Sequence, residues 1–149
     1  TAATFTEDGW FKTGDLGWID KEGYVMLSGR AKNMIVTAGG KNVYPEEIEN
    51  AFQLYDDIEQ ITVQGFIPEG QDAGEEIEAL VYPADGLLSK LGVDRKNPSD
   101  MEKVTAKVNE IIDEVNKNLL TYQRIKKVTI LDEPLEMTTT KKVKRIYKK

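Results

Sequence analysis

The sequence contains no cysteine and no histidine among its 149 residues. Without thiols or imidazoles, the chain forms no disulfide, no zinc site with thiolate or imidazole ligands, no cysteine nucleophile and no Ser-His-Asp triad. Any chemistry therefore depends on lysine, arginine, carboxylates and backbone amides. These groups favour electrostatic stabilisation of a charged substrate over proton transfer, because none of them has an unperturbed pKa near neutral pH.

Long apolar runs are also absent. No stretch approaches the ~18 to 20 apolar residues that a membrane-spanning helix needs. Residues 1–4 include neither an initiator methionine nor the basic residues that open a signal peptide, so we expect a piece of a longer cytoplasmic protein. A hydrophobic fraction of 40% suffices for a core, and the piece should fold as one domain, or as a small domain with part of another attached.

Charge is distributed unevenly behind the net charge of -6. Residues 46–80 carry eleven acids and no lysine or arginine, whereas six of the last nine residues, 141–149, are basic. The basic tail indicates either a phosphate-bearing partner near the C-terminus or a solvated segment that keeps the protein soluble, and both interpretations stay open. Such a tail is also compatible with peripheral association with an anionic membrane. Nucleic acid is not an expected partner.

The hydrophobic pattern predicts an α+β fold, with a small mixed β-sheet flanked by helices and preceded by a β-hairpin. A short strand after the hairpin breaks at a glycine-containing turn, and residues 83–96 read as an irregular connection. The longest helix starts at the N-cap Asn97 and carries an apolar stripe typical of core packing. In chain order, the predicted elements are hairpin strands at 18–19 and 24–27, a strand at 34–36, a helix from 45, strands at 58–66 and 77–82, the long helix, and a strand at 127–131.

Three short segments carry the candidate chemistry. They are Thr-Gly-Asp at 13–15, the stretch from Gly29 to Glu49 with its Gly39-Gly40 pair, and the Thr-rich basic segment 138–145. Gly40-Lys41 is not a Walker phosphate loop, because that motif needs glycine at position 35 and serine or threonine after the lysine. Together, in this order, the segments resemble the end of the adenylate-forming enzymes, the superfamily of acyl-CoA synthetases, peptide-synthetase adenylation domains and firefly-type luciferases.

This resemblance covers essentially the whole chain, and segment 138–145 is most similar to the long-chain fatty-acid CoA ligases. It implies that residues 1–31 form the end of the N-terminal AMP-binding domain and a linker, and that residues 32–149 form the C-terminal lid. The implied reaction joins a fatty acid to CoA through an acyl-adenylate, with ATP and Mg²⁺. The implied partners are the N-terminal domain, the fatty acid, ATP and CoA, and the isolated fragment should be inactive.

The resemblance also implies roles for single residues. Asp15 would accept hydrogen bonds from the ribose hydroxyls of ATP, and Arg30 would support the nucleotide. Lys142 would be the catalytic lysine that bridges the acyl carboxylate and the α-phosphate, with Lys141 and Lys144 as neighbouring alternatives. No residue is assigned as a metal ligand.

The resemblance also implies two positions for the second half-reaction, the transfer of the acyl group from the acyl-adenylate to CoA. Lys32 falls where the family has its hinge, and Gly39 with Gly40 would face the pantetheine of CoA, since glycine lets backbone approach a thin chain closely. Some relatives place a lysine where this chain has Val36, so no thioester-step lysine is assigned.

Two other functions remain open from the sequence. Within the superfamily, the chain could belong to an acyl-AMP ligase or a peptide-synthetase adenylation domain that delivers its acyl group to a carrier protein. From a different class, it could be a non-catalytic interaction module with a basic tail.

Overall fold

The computed structural model describes residues 2–72 and 74–145. Short 3₁₀ turns occur at Ala2–Thr4, Ala31–Asn33 and Thr121–Gln123. The strands are β1 (Asp15–Ile19), β2 (Val25–Arg30), β3 (Ile35–Val36), β4 (Asn42–Val43), β5 (Ile58–Phe66), β6 (Glu76–Pro83) and β7 (Ile125–Ile130). The helices are α1 (Pro45–Asn50), α2 (Asp85–Leu91) and α3 (Pro98–Asn118).

The central sheet has three strands in the order β5-β6-β7. Strands β5 and β6 run antiparallel and are joined by a loop, whereas β6 and β7 run parallel and are joined by a crossover that contains α2 and α3. A parallel pair needs such a crossover, because the chain has to return to the starting edge of the sheet. The predicted α+β class with a mixed sheet is confirmed.

The core lies between this sheet and α3. The apolar stripe predicted from sequence is buried along α3, and it packs in one cluster with the inward-facing residues of β5 and β6. Asn97 caps the helix as predicted, since its side-chain oxygen accepts a hydrogen bond from the backbone N–H of Ser99 at 3.1 Å. The buried residues of α3 are Val104, Val108, Ile111, Ile112 and Val115.

Residues 83–96, predicted to be irregular, contain a helix, so that prediction is wrong. Helix α2 is seven residues long and buries Leu87 and Leu88, and it ends at Gly92 in the left-handed conformation with φ 63°. A helix of two turns offers too few apolar positions to show a 3.6-residue period, which is why the pattern missed it. The predicted helix at 45 is present but short, because α1 ends at Asn50 and continues as turns.

Asp15, one of the candidate ligand-binding residues, is the first residue of β1. Strands β1 and β2 form the predicted antiparallel hairpin, with a bulge between Leu16 and Gly17. Large apolar side chains of this region are exposed, including Trp10, Phe11, Trp18, Ile19, Tyr24, Val25, Met26 and Leu27. No helix among the described residues has the length and hydropathy to cross a bilayer.

One carboxylate is buried in the sheet. Glu78 on β6 accepts hydrogen bonds from Thr129 at 2.8 Å and Gln64 at 3.0 Å, and it forms an ion pair with Lys127 at 3.0 Å. Burial alone would raise the pKa of Glu78, but these hydrogen bonds and the charge of Lys127 outweigh it and lower the pKa. The polar group is therefore satisfied inside the sheet.

Candidate functional site

The structure brings Asp15 and Arg30 together. They face each other across the β1–β2 hairpin, and the guanidinium of Arg30 lies 2.9 Å from the Asp15 carboxylate. Arg30 also donates a hydrogen bond to the backbone carbonyl of Thr13 at 2.7 Å. Gly14, which lies between Thr13 and Asp15, adopts φ 78°. Both side chains remain partly accessible to solvent. The arginine thus fixes the carboxylate while leaving its surface open, as an acceptor for ligand hydroxyls requires.

The predicted hinge residue Lys32 lies in the 3₁₀ turn Ala31–Asn33, between β2 and β3. The next residue, Asn33, donates a hydrogen bond to Glu46 in the first turn of α1. Lys32 and Asn33 line one side of a cavity of about 600 Å³, and its other walls come from β5 and from Glu136, Lys144 and Arg145 of the C-terminal segment. The hinge position therefore lies close to the end of the described chain.

Gly39 and Gly40 lie in the turn that joins β3 to β4, which we call the glycine turn (residues 37–41). Thr37 and Lys41 close it, with the Thr37 N–H donating to the Lys41 carbonyl at 3.0 Å, and Gly40 adopts φ 71°. A Cβ atom added at either glycine would meet nothing within 4 Å. Residues 38–41 of the turn are exposed.

The loop between β5 and β6 packs against the glycine turn. Gly74, with φ 85°, approaches so closely that an added Cβ would lie 2.1 Å from the Cα of Ala38. The neighbouring Glu75 donates its backbone N–H to the carbonyl of Val36 at 3.0 Å. The β5–β6 connection therefore sets the position of the glycine turn.

Lys142 lies in an exposed turn of the C-terminal segment, which we call the tail turn (residues 137–143). Met137 and Val143 form an antiparallel bridge, and the N–H of Thr138 donates to the carbonyl of Lys142 at 2.7 Å. Lys142 donates its own N–H to the Thr138 hydroxyl at 3.2 Å. The threonine-rich composition thus helps to shape the turn that presents the lysine.

The sequence interpretation missed how Arg145 is used. Its side chain is 16% exposed, and it donates to Glu49 on α1 at 2.5 Å and to the carbonyl of Val63 on β5 at 2.7 Å. Lys144 is also used within the chain, in an exposed ion pair with Glu136 at 3.1 Å. The contrast between an acidic middle and a basic tail was the available signal, but it was interpreted only as a partner site or a solvated tail. Residues 146–149 of that tail, including Lys148 and Lys149, lie outside the described part.

Most of the other candidate site residues do not line the cavity beside Lys32. The cavity beside Lys32 is lined neither by Asp15 nor by Gly39, Gly40 or Lys142. Within residues 2–72 and 74–145, no group of three acidic side chains is arranged to hold a metal ion. Asp15, the glycine turn and Lys142 therefore lie outside the cavity beside Lys32.

Comparison with known proteins identifies relatives. No family model matches the chain. A probable acyl-activating enzyme of Arabidopsis thaliana is 33% identical over 171 aligned positions, which cover 97% of this chain and 22% of that protein. A long-chain-fatty-acid–CoA ligase of Mycobacterium tuberculosis is 51% identical over 65 residues, 44% of this chain and 11% of the enzyme. The chain thus spans about a tenth to a fifth of the length of these relatives.

Solved structures of acyl-CoA synthetases are also similar to this chain. The o-succinylbenzoate CoA synthetase of Bacillus subtilis, in complex with its acyl-adenylate intermediate, superposes with a TM-score of 0.68 at 26% identity, covering 95% of this chain and 24% of that one. The same enzyme with ATP and magnesium superposes with a TM-score of 0.66 at 25% identity and the same coverage. The chain belongs to the adenylate-forming superfamily of acyl-CoA synthetases and adenylation enzymes, and it corresponds to their C-terminal domain.

Proposed function

We propose that the chain is the lid of an acyl-CoA ligase that adenylates a carboxylic acid with MgATP and then transfers the acyl group to CoA. The observation that carries this proposal is the alignment across 97% of the chain with an acyl-activating enzyme. Residues 1–31 would be the end of the N-terminal AMP-binding domain and the linker, and residues 32–149 the lid. The exposed apolar residues of the β1–β2 region support this division, because a face of that kind is normally covered.

Each candidate residue has a chemical task in this proposal. Asp15, held by Arg30, would accept hydrogen bonds from the ribose hydroxyls of ATP. The ammonium of Lys142 would neutralise the negative charge that develops between the acyl carboxylate and the α-phosphate. That stabilisation is large only where water is excluded, and closure of the lid over the N-terminal domain would exclude it.

The second half-reaction would use a different face of the lid. Rotation of the backbone near Lys32 would bring the glycine turn to the CoA thiol, and Gly39 with Gly40 would leave room for the pantetheine chain. The glycine turn and the tail turn lie in different segments, which is what a lid with two working faces needs.

For the acyl substrate we propose a long-chain fatty acid. The support is the Thr-rich segment 138–145 and the 51% identity with the mycobacterial long-chain ligase. Pyrophosphate release measured with palmitate, with a short-chain acid and with o-succinylbenzoate would distinguish the substrate classes. Preference for the aromatic acid would contradict the fatty-acid assignment while leaving the ligase assignment intact.

The test of the reaction uses a ligase that contains this chain. We expect Lys142→Ala to lose acyl-adenylate formation by on the order of 10²-fold or more, because one preorganised charge at a transition state contributes that much. Thioester formation from supplied acyl-adenylate should survive. Lys141→Ala in the same turn tests the neighbouring alternative, and it should retain both half-reactions if Lys142 is the catalytic lysine. Equal loss of both half-reactions in Lys142→Ala would contradict a catalytic role for that lysine.

Two simpler measurements test the rest of the proposal. The 149-residue chain by itself should bind ATP weakly or not at all, and a submicromolar dissociation constant by calorimetry would contradict its assignment as a lid. Supplying either CoA or a phosphopantetheinylated carrier protein as acceptor distinguishes a CoA ligase from an adenylation enzyme that loads a carrier.

A further inference from the structure

The tail turn has a well-defined local shape but few attachments of its own. Its residues from Met137 to Lys142 are exposed, and its hydrogen bonds run between members of the turn. Lys141 adopts a left-handed φ of 57°, which reverses the chain just before Lys142. These contacts determine how the turn is folded, but they do not determine where it lies relative to the core.

The location of the tail turn is determined at its base. On the incoming side, Leu135 donates its N–H to the side chain of Gln60 on β5 at 2.6 Å. On the outgoing side, the guanidinium of Arg145 reaches β5 and α1 together. Besides its bonds to Glu49 and Val63, it donates to the hydroxyl of Thr62 at 3.2 Å. A rigid fork of donors that engages two elements restricts both position and orientation.

Glu49 is prepared for this arginine. The carboxylate oxygen that receives Arg145 also accepts the N–H of Val63 at 2.7 Å and the Thr62 hydroxyl at 3.3 Å. Burial raises the pKa of Glu49 above its usual value, although the charge of Arg145 and the hydrogen bonds from Arg145 and the Val63 N–H act in the opposite direction. A half-buried carboxylate of this kind needs its cation, so the pair couples the tail to the core.

We propose that Arg145 is a positioning residue, which fixes Lys142 in its working location by attaching the tail turn to α1 and β5. The inference rests on the proposed role of Lys142 in acyl-adenylate formation. Only two residues separate the anchor from the lysine, and a misplacement of about 1 Å at a reacting centre costs on the order of 10²-fold in rate. The guanidinium of Arg145 is directed at α1 and β5 by these contacts.

The chain offers a matched control for this proposal. Arg95 is also a mostly buried arginine, with 20% exposure of its side chain. It donates to the carbonyl of Pro83 and to Asp85, both at 3.0 Å, and stacks on Tyr82 with 4.4 Å to the ring centroid. It anchors the segment between α2 and α3 and lies far along the chain from the tail. Arg95→Ala therefore reproduces the loss of a buried arginine without releasing the tail turn.

The kinetic test uses the complete ligase that contains this chain. Arg145→Ala should slow acyl-adenylate formation by ~10- to 100-fold and leave thioester formation from supplied acyl-adenylate nearly unchanged. Arg145→Lys should restore part of the rate, because it keeps the charge but not the fork. In the Lys142→Ala background, Arg145→Ala should add almost nothing, since a positioning residue has nothing left to position. Arg95→Ala should show no such selectivity.

A structural measurement separates this inference from the proposed function. Hydrogen exchange of the peptide covering residues 137–143 should accelerate in Arg145→Ala and stay unchanged in Arg95→Ala. Unchanged exchange in Arg145→Ala would overturn the inference, as would a loss that multiplies with that of Lys142→Ala. If Lys142→Ala retains acyl-adenylate formation, the proposed role of Lys142 fails, and the exchange result still decides whether Arg145 holds the turn.

Discussion

Substitutions at Gly39 and Gly40 can distinguish backbone strain from the loss of space for a ligand. An added methyl group has free space at both positions, but only Gly40 has a positive φ. We expect Gly40→Ala to lower the free energy of unfolding by about 1 kcal/mol, and Gly39→Ala to leave it unchanged. In the complete ligase, Gly39→Ala should raise the KM for CoA without affecting acyl-adenylate formation. Unaltered kinetics with CoA would mean that CoA does not pass this turn.

Glu78 makes a second prediction at the residue scale, for stability against pH. Its folded pKa lies below the ordinary 4.5, so its contribution is present above that pH and is lost as pH falls through the folded pKa. Glu78→Gln should cost about 1–3 kcal/mol near neutral pH, and the difference from the parent should shrink as the pH falls below 4.5 and through the folded pKa. Denaturant unfolding at neutral pH and at a series of acidic pH values measures it. The exposed pair of Lys107 and Glu110 supplies the control, Glu110→Gln, which should show little change.

Single residues also show where sequence interpretation stops. Asp15 and Arg30 were singled out as ligand-binding residues, yet nothing in their spacing predicts that they touch. That contact depends on strand register, and here a bulge after Leu16 shifts the register by one residue. The anchor formed by Arg145 and Glu49 joins positions 96 apart in the chain, a separation that no local pattern encodes.

Among the elements, the two loops that meet behind the glycine turn allow a paired test. Gly74→Ala would place a methyl group against the backbone of Ala38 and strain a positive φ. We expect it to lower the free energy of unfolding by about 2 kcal/mol or more and to impair thioester formation more than acyl-adenylate formation. Gly70→Ala, in the same connection, has a positive φ of 82° but free space, and it should show the backbone strain alone. Equal effects of the two substitutions would contradict a supporting role for Gly74.

A helix or strand could be predicted from the sequence when it was long enough to show a periodic pattern of apolar residues. Helix α3, with 21 residues, shows its apolar stripe and its Asn97 cap in the sequence. Strands β5 and β6 were predicted within a residue or two, whereas β7 begins two residues earlier than expected. Helix α2 and the two-residue strand β4 escaped because each is too short for a period to appear.

At the scale of the whole molecule, substitutions in the exposed apolar surface and in the core should have different effects on stability. Trp18 is 58% exposed, whereas Phe52 is buried in the core. In the 149-residue chain we expect Trp18→Ser to change the free energy of unfolding by less than about 0.5 kcal/mol, and Phe52→Ala to cost about 3–5 kcal/mol. In the complete ligase, Trp18→Ser should weaken the packing of residues 1–31 against the rest of the N-terminal domain and lower the melting temperature. A large cost already in the isolated chain would mean that this face packs against the chain itself.

Helix α1 connects the hinge position to the base of the tail turn. Its Glu46 bonds to Asn33 beside the hinge position, and its Glu49 bonds to Arg145 at the base of the tail turn. A helix of six residues thereby touches both the point about which the lid would rotate and the segment that carries Lys142. If the lid rotates near Lys32, the core, the glycine turn and the tail turn should move as one body.

The position of Lys127 has a consequence for handling the protein. Strand β7 is an outer strand of the sheet, and such an edge can pair with the edge of another copy and start aggregation. Lys126 and Lys127 are exposed on this strand, and their charges discourage such pairing. Lys127 also pairs with Glu78. Neutralising this one side chain, for instance by acetylation, would therefore remove the ion pair of a buried carboxylate and also one of the charges that discourage aggregation at the sheet edge.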